Sequence, residues 1–192
     1  LTFDAGADRG FAEEILDLLA AEGITASFGI MGQWAEANPD LVRRMVAEGH
    51  QVGNHTYNHI DLLKADRGTI ANEIDRTDKV IRDIIGVSPK VVRPPHGFRD
   101  AVVLEVMAER GLKVVEWSVL SRDWTNPGVE AIVRRTLDKV KSGAVILLHD
   151  GDGVAATAPR GQTVAATRQI IRELKARGYK FVTVDEILRM EE

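Results

Sequence analysis

The sequence predicts a single α/β domain folded as a distorted, TIM-like barrel of seven strand-then-helix units with parallel strands, and three observations carry that prediction. Short β-type segments alternate strictly with amphipathic helical segments along the chain, the pattern of a parallel sheet covered by helices. The run Gly143-Ala144-Val145-Ile146-Leu147-Leu148 is almost continuously apolar, as a strand buried on both faces has to be. Seven units joined by short connections, with no Gly-rich phosphate turn, fit a closed or nearly closed barrel better than an open doubly wound sheet.

Leu1-Thr2-Phe3 reads as the first strand and ends in the polar turn Asp4 to Gly10. A helix follows with Phe11, Ile15, Leu18 and Leu19 on one face and Gly23 as its stop. Ile24 to Ile30 is the second strand. Asn38-Pro39 then predicts a side-chain N-cap with proline at the first helical position, leading Leu41, Val42, Met45 and Val46 to a stop at Gly49. The third unit opens at His50-Gln51-Val52, and its helix shows Ile70, Ile74, Ile81 and Ile85 along one stripe before Gly86. Lys90 to Arg93 is the fourth strand, stopped by Pro94-Pro95. Asp100 caps a helix with Val103, Leu104 and Met107 inward, and Lys113 to Val119 is the fifth strand. Asn126-Pro127-Gly128 repeats the cap-and-proline start for Ile132, Val133, Leu137 and Val140. After the sixth strand, the helix Val164 to Ala176 leads to a seventh strand, Tyr179 to Val184, and a short terminal helix.

The 192 residues suit one domain large enough to bury a core without staples. A net charge of -4 with both signs interleaved supplies no basic patch, which argues against nucleic acid as a partner. No apolar run reaches the length of a membrane span. The absence of cysteine excludes disulfides and thiolate ligands. Because the chain opens inside a strand and without methionine, residues 1–192 are expected to be a catalytic domain excised from a longer protein.

Chemistry collects where strands end. His55 and His59 are four residues apart, a metal-ligand spacing if the segment winds into one helical turn. Asp4 follows the first strand, Arg93 and His96 the fourth, Asp123 and Trp124 the fifth, His149 and Asp150 the sixth. In a parallel barrel these positions share the face that hosts the active site. Four of the five histidines fall there, a preference that scattered surface histidines would not show.

The ordered motifs Thr2-Phe3-Asp4-Ala5-Gly6, His55-Thr56-Tyr57-Asn58-His59, Arg93-Pro94-Pro95-His96-Gly97, Asp123-Trp124 and Leu147-Leu148-His149 resemble the NodB-type polysaccharide deacetylases of carbohydrate esterase family four over essentially the whole chain. The resemblance implies a metal-dependent hydrolase that removes acetyl from an N-acetylglucosamine polymer of peptidoglycan or chitin type, acting outside the cytoplasm. It implies a divalent cation, zinc first and otherwise cobalt, nickel or manganese, on His55 and His59. Asp4 would be the general base and Arg93 its partner; His149 would be the general acid, oriented by Asp123. His96 would offer its backbone N–H to the oxyanion, and Trp124 and Leu147 would wall the acetyl slot. Two positions depart from the family pattern: its second aspartate, a metal ligand, is Ala5 here, and its tyrosine is His96. Asp8, in the same turn, is the expected replacement ligand, with Asp4 itself the other candidate. Hydrolysis of another linear or cyclic amide, and a metal-poor glycan-binding pseudoenzyme, are the competing expectations.

Overall fold

A computed structural model describes residues 1–6, 8–152 and 159–190. Among them, seven parallel strands form one sheet in the order β5-β4-β3-β2-β1-β7-β6. The strands are β1 (Thr2–Asp4), β2 (Ser27–Ile30), β3 (Gln51–Asn54), β4 (Val91–Val92), β5 (Lys113–Val114), β6 (Val119–Leu120) and β7 (Ile146–His149). The helices are α1 (Ala12–Glu22), α2 (Gly32–Ala37), α3 (Pro39–Ala47), α4 (Arg67–Ile85), α5 (Ala101–Glu109), α6 (Val129–Leu137), α7 (Gly161–Ala176) and α8 (Val184–Met190). None of the described helices is long and apolar enough to cross a membrane.

The parallel strands curl, as the expected TIM-like barrel does, into a half-barrel whose edges are β5 and β6, and one expected strand is split between those edges. Lys113 to Val119 is not one strand but two, because this stretch serves both edges of the sheet. The Val115 N–H reaches the Val92 carbonyl on one side, and the Ser118 N–H reaches the Val145 carbonyl on the other. Residues 115–118 therefore bridge the seam. The expected seventh strand, Tyr179 to Val184, does not form. Thr183 instead starts α8 by donating its N–H and hydroxyl to Glu186, while Ser27 Oγ accepts the Val184 N–H.

Helix ends follow local chemistry. Gly23 and Gly86 close α1 and α4 in the left-handed conformation, and Asp66 and Asp100 cap α4 and α5 through their side chains. The two Asn-Pro starts work differently from expectation. Asn38 turns its amide back to the Trp34 carbonyl and makes no cap. Asn126 adopts a left-handed φ of 48°, and α6 starts only after Gly128. Leu104 faces solvent, and Val106 takes the inward position beside Val103 and Met107. The main core joins Phe3, Phe28, Trp34, Leu148 and Ile170 between sheet and helices, with a smaller cluster of Leu62, Ile74 and Met107 under α4 and α5.

The sheet register sets the site. Asp4 pairs with Gly29 on one side and His149 on the other, and Gly29 pairs with Gly53. Residues directly opposite in neighbouring strands project to the same face, so Asp4 and His149 share the interior face beside two positions without side chains. A Cβ on Gly29 would lie 2.6 Å from Asp4 Oδ1. Gly29→Ala is therefore expected to displace the Asp4 carboxylate and to lower stability by about 1–3 kcal/mol, the usual range for overpacking. Denaturant unfolding and an NMR titration of the Asp4 carboxyl, measured on the same preparation, check both effects.

Candidate active site

Asp4 ends β1 and is buried, which pushes its carboxyl pKa up. The Arg93 guanidinium more than offsets this, helped by His55 and His149, and holds the group below the usual carboxylate range. Arg93 Nη1 donates to Asp4 Oδ1 at 2.8 Å. The same guanidinium donates to the carbonyls of Val115 and Glu116 at 3.3 and 3.5 Å, so it spans from the central strand to the seam.

His55 follows β3. Its ring Nδ1 lies 2.7 Å from the Arg93 carbonyl. A carbonyl only accepts, so Nδ1 carries the hydrogen and Nε2 of the neutral ring keeps its lone pair. That Nε2 is 3.6 Å from Asp4 Oδ2. Burial, above all, pushes the His55 pKa down. His59 is pushed down to about 4, first by burial and then by His55 and His96. Both rings are thus neutral near pH 7, the state in which imidazole binds metal.

The two histidines are not on a helical turn. Residues 55–61 are irregular, and Thr56 and His59 take left-handed φ values of 65° and 57°. The loop instead folds around polar anchors. Asn54 Oδ1 accepts the Thr56 N–H at 2.9 Å, and Thr56 Oγ1 accepts the His59 N–H at 3.1 Å. Buried Glu73 on α4 accepts the N–H groups of Tyr57 and Asn58 at 2.9 and 2.7 Å and the Asn58 amide at 2.7 Å. The rings still come together, with centroids 5.0 Å apart.

On the opposite side, Asp123 is buried. Its Oδ1 pairs with His149 Nδ1 at 2.9 Å and its Oδ2 accepts the His149 N–H at 2.8 Å. Ser121 and Thr163 direct their hydroxyls to the same carboxylate. Burial alone would lower the His149 pKa, but the hydrogen bond and charge of Asp123 outweigh it and hold the ring above its ordinary value. Nε2 is left as the free ring nitrogen. Trp124 stands edge-on to this imidazole with centroids 5.2 Å apart.

A cleft of about 440 Å³ is lined by Asp4, His55, His59, His96, Trp117, Leu120, Trp124, Leu147 and His149, with Gly151, Asp152 and Arg160 at one end. Arg93 and Asp123 do not line it and act from behind Asp4 and His149. Asp8 is not brought to the histidine pair. Its Oδ1 lies 3.2 Å from where a Cβ on Gly151 would stand, and it has no hydrogen-bond partner among the described residues. Its neighbour is Asp150, a buried carboxyl raised to about 7, first by burial, whose Oδ1 accepts the Gly6 N–H. That buried acid and Gly151 occupy the side of the turn to which Asp8 points.

The donor chemistry here fits a divalent cation. His55 Nε2 keeps its lone pair, His59 Nδ1 is buried without a partner among the described residues, and Asp4 Oδ2 is close by. Ala5 adds no donor; its N–H is spent on the Gly29 carbonyl. Among the described residues, no three His, Asp or Glu side chains already converge in a metal-holding arrangement.

Glu73, Ser121 and Thr163 were not singled out from the sequence, and Asp150 was placed after the sixth strand without a role. Glu73 had a signal: with Thr77 it sits on the same stripe of α4 as Ile70, Ile74 and Ile81, and a carboxylate on an inward stripe needs a buried partner.

The sequence profile of the polysaccharide deacetylase family matches residues 1–115. A peptidoglycan-N-acetylglucosamine deacetylase of Bacillus cereus is 40% identical over 98% of this chain and 87% of its own length. A chitooligosaccharide deacetylase of Sinorhizobium fredii is 42% identical over 93% of this chain and 86% of its own. The crystal structure of a peptidoglycan N-acetylglucosamine deacetylase in complex with 4-naphthalen-1-yl-N-oxidanyl-benzamide superposes with a TM-score of 0.91 at 34% identity, covering 97% of this chain and 85% of that one. Asp123 and His149 lie beyond the profile match but inside these full-length similarities.

Glu73→Ala leaves two backbone N–H groups and the Asn58 amide without their acceptor, and the buried Tyr57 N–H so stranded costs about 1–3 kcal/mol. Glu73→Gln keeps one acceptor oxygen and is expected to cost less. Urea unfolding of both variants is the measurement, and equal stability of Glu73→Ala and the parent would show that the loop is held by other contacts.

Proposed function

The chain belongs to the polysaccharide deacetylase family, and on that premise we propose that it hydrolyses the N-acetyl group of N-acetylglucosamine residues in a peptidoglycan- or chitin-type polymer, outside the cytoplasm. The observation that carries this reading is a base and an acid on neighbouring strands of one cleft, with pKa values driven apart: Asp4 below the ordinary carboxylate range and His149 above the ordinary imidazole value. Amide hydrolysis needs this pairing.

Water enters against the acetyl carbonyl carbon and loses its proton to Asp4, at Oδ2, since Oδ1 is engaged by Arg93. The carbonyl oxygen gathers negative charge and is met by the backbone N–H of His96, set on a turn of left-handed φ at the cleft wall. His149 Nε2 then gives its proton to the departing amine nitrogen, and Asp123 compensates the imidazolium charge throughout. Acetate and a free sugar amine result. Leu147 and Trp124 line the same cleft and offer the acetyl methyl an apolar wall. A divalent cation, zinc foremost and cobalt, nickel or manganese otherwise, would be held by His55 and His59; when bound, it supplies Lewis-acid polarisation of the carbonyl and acidifies the attacking water. Names of relatives support the glycan class, and the cleft's tryptophans suit sugar rings.

Release of acetate and of primary amines from N-acetylglucosamine oligomers and from intact peptidoglycan tests the reading. Turnover on either glycan is expected. Binding of the oligomers without acetate release would favour the competing pseudoenzyme, to which Ala5 lends its support.

His149→Ala is expected to reduce turnover by ~10²-fold or more, as for general acids elsewhere, with metal content unchanged. The two limbs of the pH–rate profile follow from the pairings. Removing the guanidinium in Arg93→Ala makes Asp4 easier to protonate, so the acidic limb moves to higher pH. Removing the Asp123 charge in Asp123→Asn makes His149 easier to deprotonate, so the alkaline limb moves to lower pH. A profile unmoved in either variant would remove that pair from the mechanism.

A further inference from the structure

Resting on the reading that His55 and His59 hold a divalent cation, we propose that His96 supplies the third protein donor, replacing the carboxylate that Ala5 lacks. Three observations converge on it. The His59 ring stands between two other imidazoles, 5.0 Å from His55 and 4.9 Å from His96, centroid to centroid. Edge-on rings at this spacing are near enough for their nitrogens to be turned onto one ion with Zn–N bonds of about 2 Å. The turn carrying His96 is fixed by its backbone while its side chain stands on the open cleft wall. Pro94 and Pro95 fix the approach, the Gly97 and Phe98 N–H groups close on the carbonyls of Pro94 and Pro95, and the imidazole itself is solvent-exposed on the cleft wall. A rotation about its own side-chain bonds brings the ring inward without moving backbone.

The other candidates are spoken for. Asp8 faces Gly151 and Asp150 across the turn, and Asp4 is bound at Oδ1 by Arg93 and serves as base. His96 needs neither to change role. A set of three imidazoles is a neutral one, so it suits zinc, nickel or copper better than manganese or magnesium, which want carboxylate and water.

Chelator-stripped protein titrated with Zn²⁺ in a calorimeter, and with Co²⁺ by visible absorption, tests the assignment without recourse to activity. His96→Ala is expected to weaken Zn²⁺ at least ~10-fold, since even partners outside the ligand set cost that much, and to alter the Co²⁺ spectrum. Ala5→Asp on the His96→Ala background is expected to restore affinity, and Asp8→Ala to bind as the parent does. If His55→Ala abolishes binding while His96→Ala leaves parental affinity, the His96 assignment falls and the histidine pair stands. If His55→Ala binds as the parent does, the pair is not the metal site and both readings fall. Loss of affinity in Asp8→Ala but not in His96→Ala would give the third position to Asp8.

Discussion

The buried ion pair between Arg93 and Asp4 is the interaction on which the remaining architecture rests. An unpaired charge in this interior would cost several kcal/mol, so each partner fixes the other. Arg93 is also placed by its main chain, because its carbonyl receives the His55 ring. One residue at the end of a two-residue strand therefore orients the base, selects the tautomer of a neighbouring imidazole and, through the carbonyls of Val115 and Glu116, ties down the seam of the half-barrel. Gly29 is part of the same constraint. The carboxylate fits over the sheet only because the adjacent strand presents no Cβ there.

Much of this was legible in the sequence because it depends on short-range rules. Alternating strands and helices gave the parallel sheet, and residues placed after strands gathered on one face, as that topology requires. Asp4, His55, His59, His96, Trp124, Leu147 and His149 do line one cleft, with Arg93 and Asp123 directly behind. What escaped was set by tertiary contacts. The stretch 113–119 has the composition of one strand, but its hydrogen bonds go to opposite edges of the sheet. Tyr179 to Val184 is apolar enough for a strand, yet Glu186 engages Thr183 and starts a helix instead. Asp8 shares a turn with Ala5, and proximity in sequence said nothing about the side of the turn on which a buried Asp150 would stand.

The histidine pair illustrates how a correct pairing can come from an incorrect conformation. A helical turn would set the two rings one above the other, and the i, i+4 spacing invites that picture. The chain reaches a similar ring separation through two left-handed residues, each costing of order 1 kcal/mol when not glycine. Such strain persists where surrounding bonds over-determine the backbone, and here Asn54, Thr56 and Glu73 provide them.

Because Glu73 belongs to α4, the histidine loop is held from a helix at Tyr57 and Asn58 as well as from the sheet at His55. Arg76, one turn further along, lies over the Tyr57 ring at 3.6 Å and extends the same hold. The nineteen-residue helix is thereby part of the site's support: a substitution that shifts α4 is expected to move the Tyr57–His59 end of the loop, while Asp4, His55 and His149, tied to neighbouring strands, stay in place. Mutational drift on the outward face of α4 thus offers a remote dial on the spacing between the two halves of the cleft, one that leaves every residue of the cleft itself unaltered.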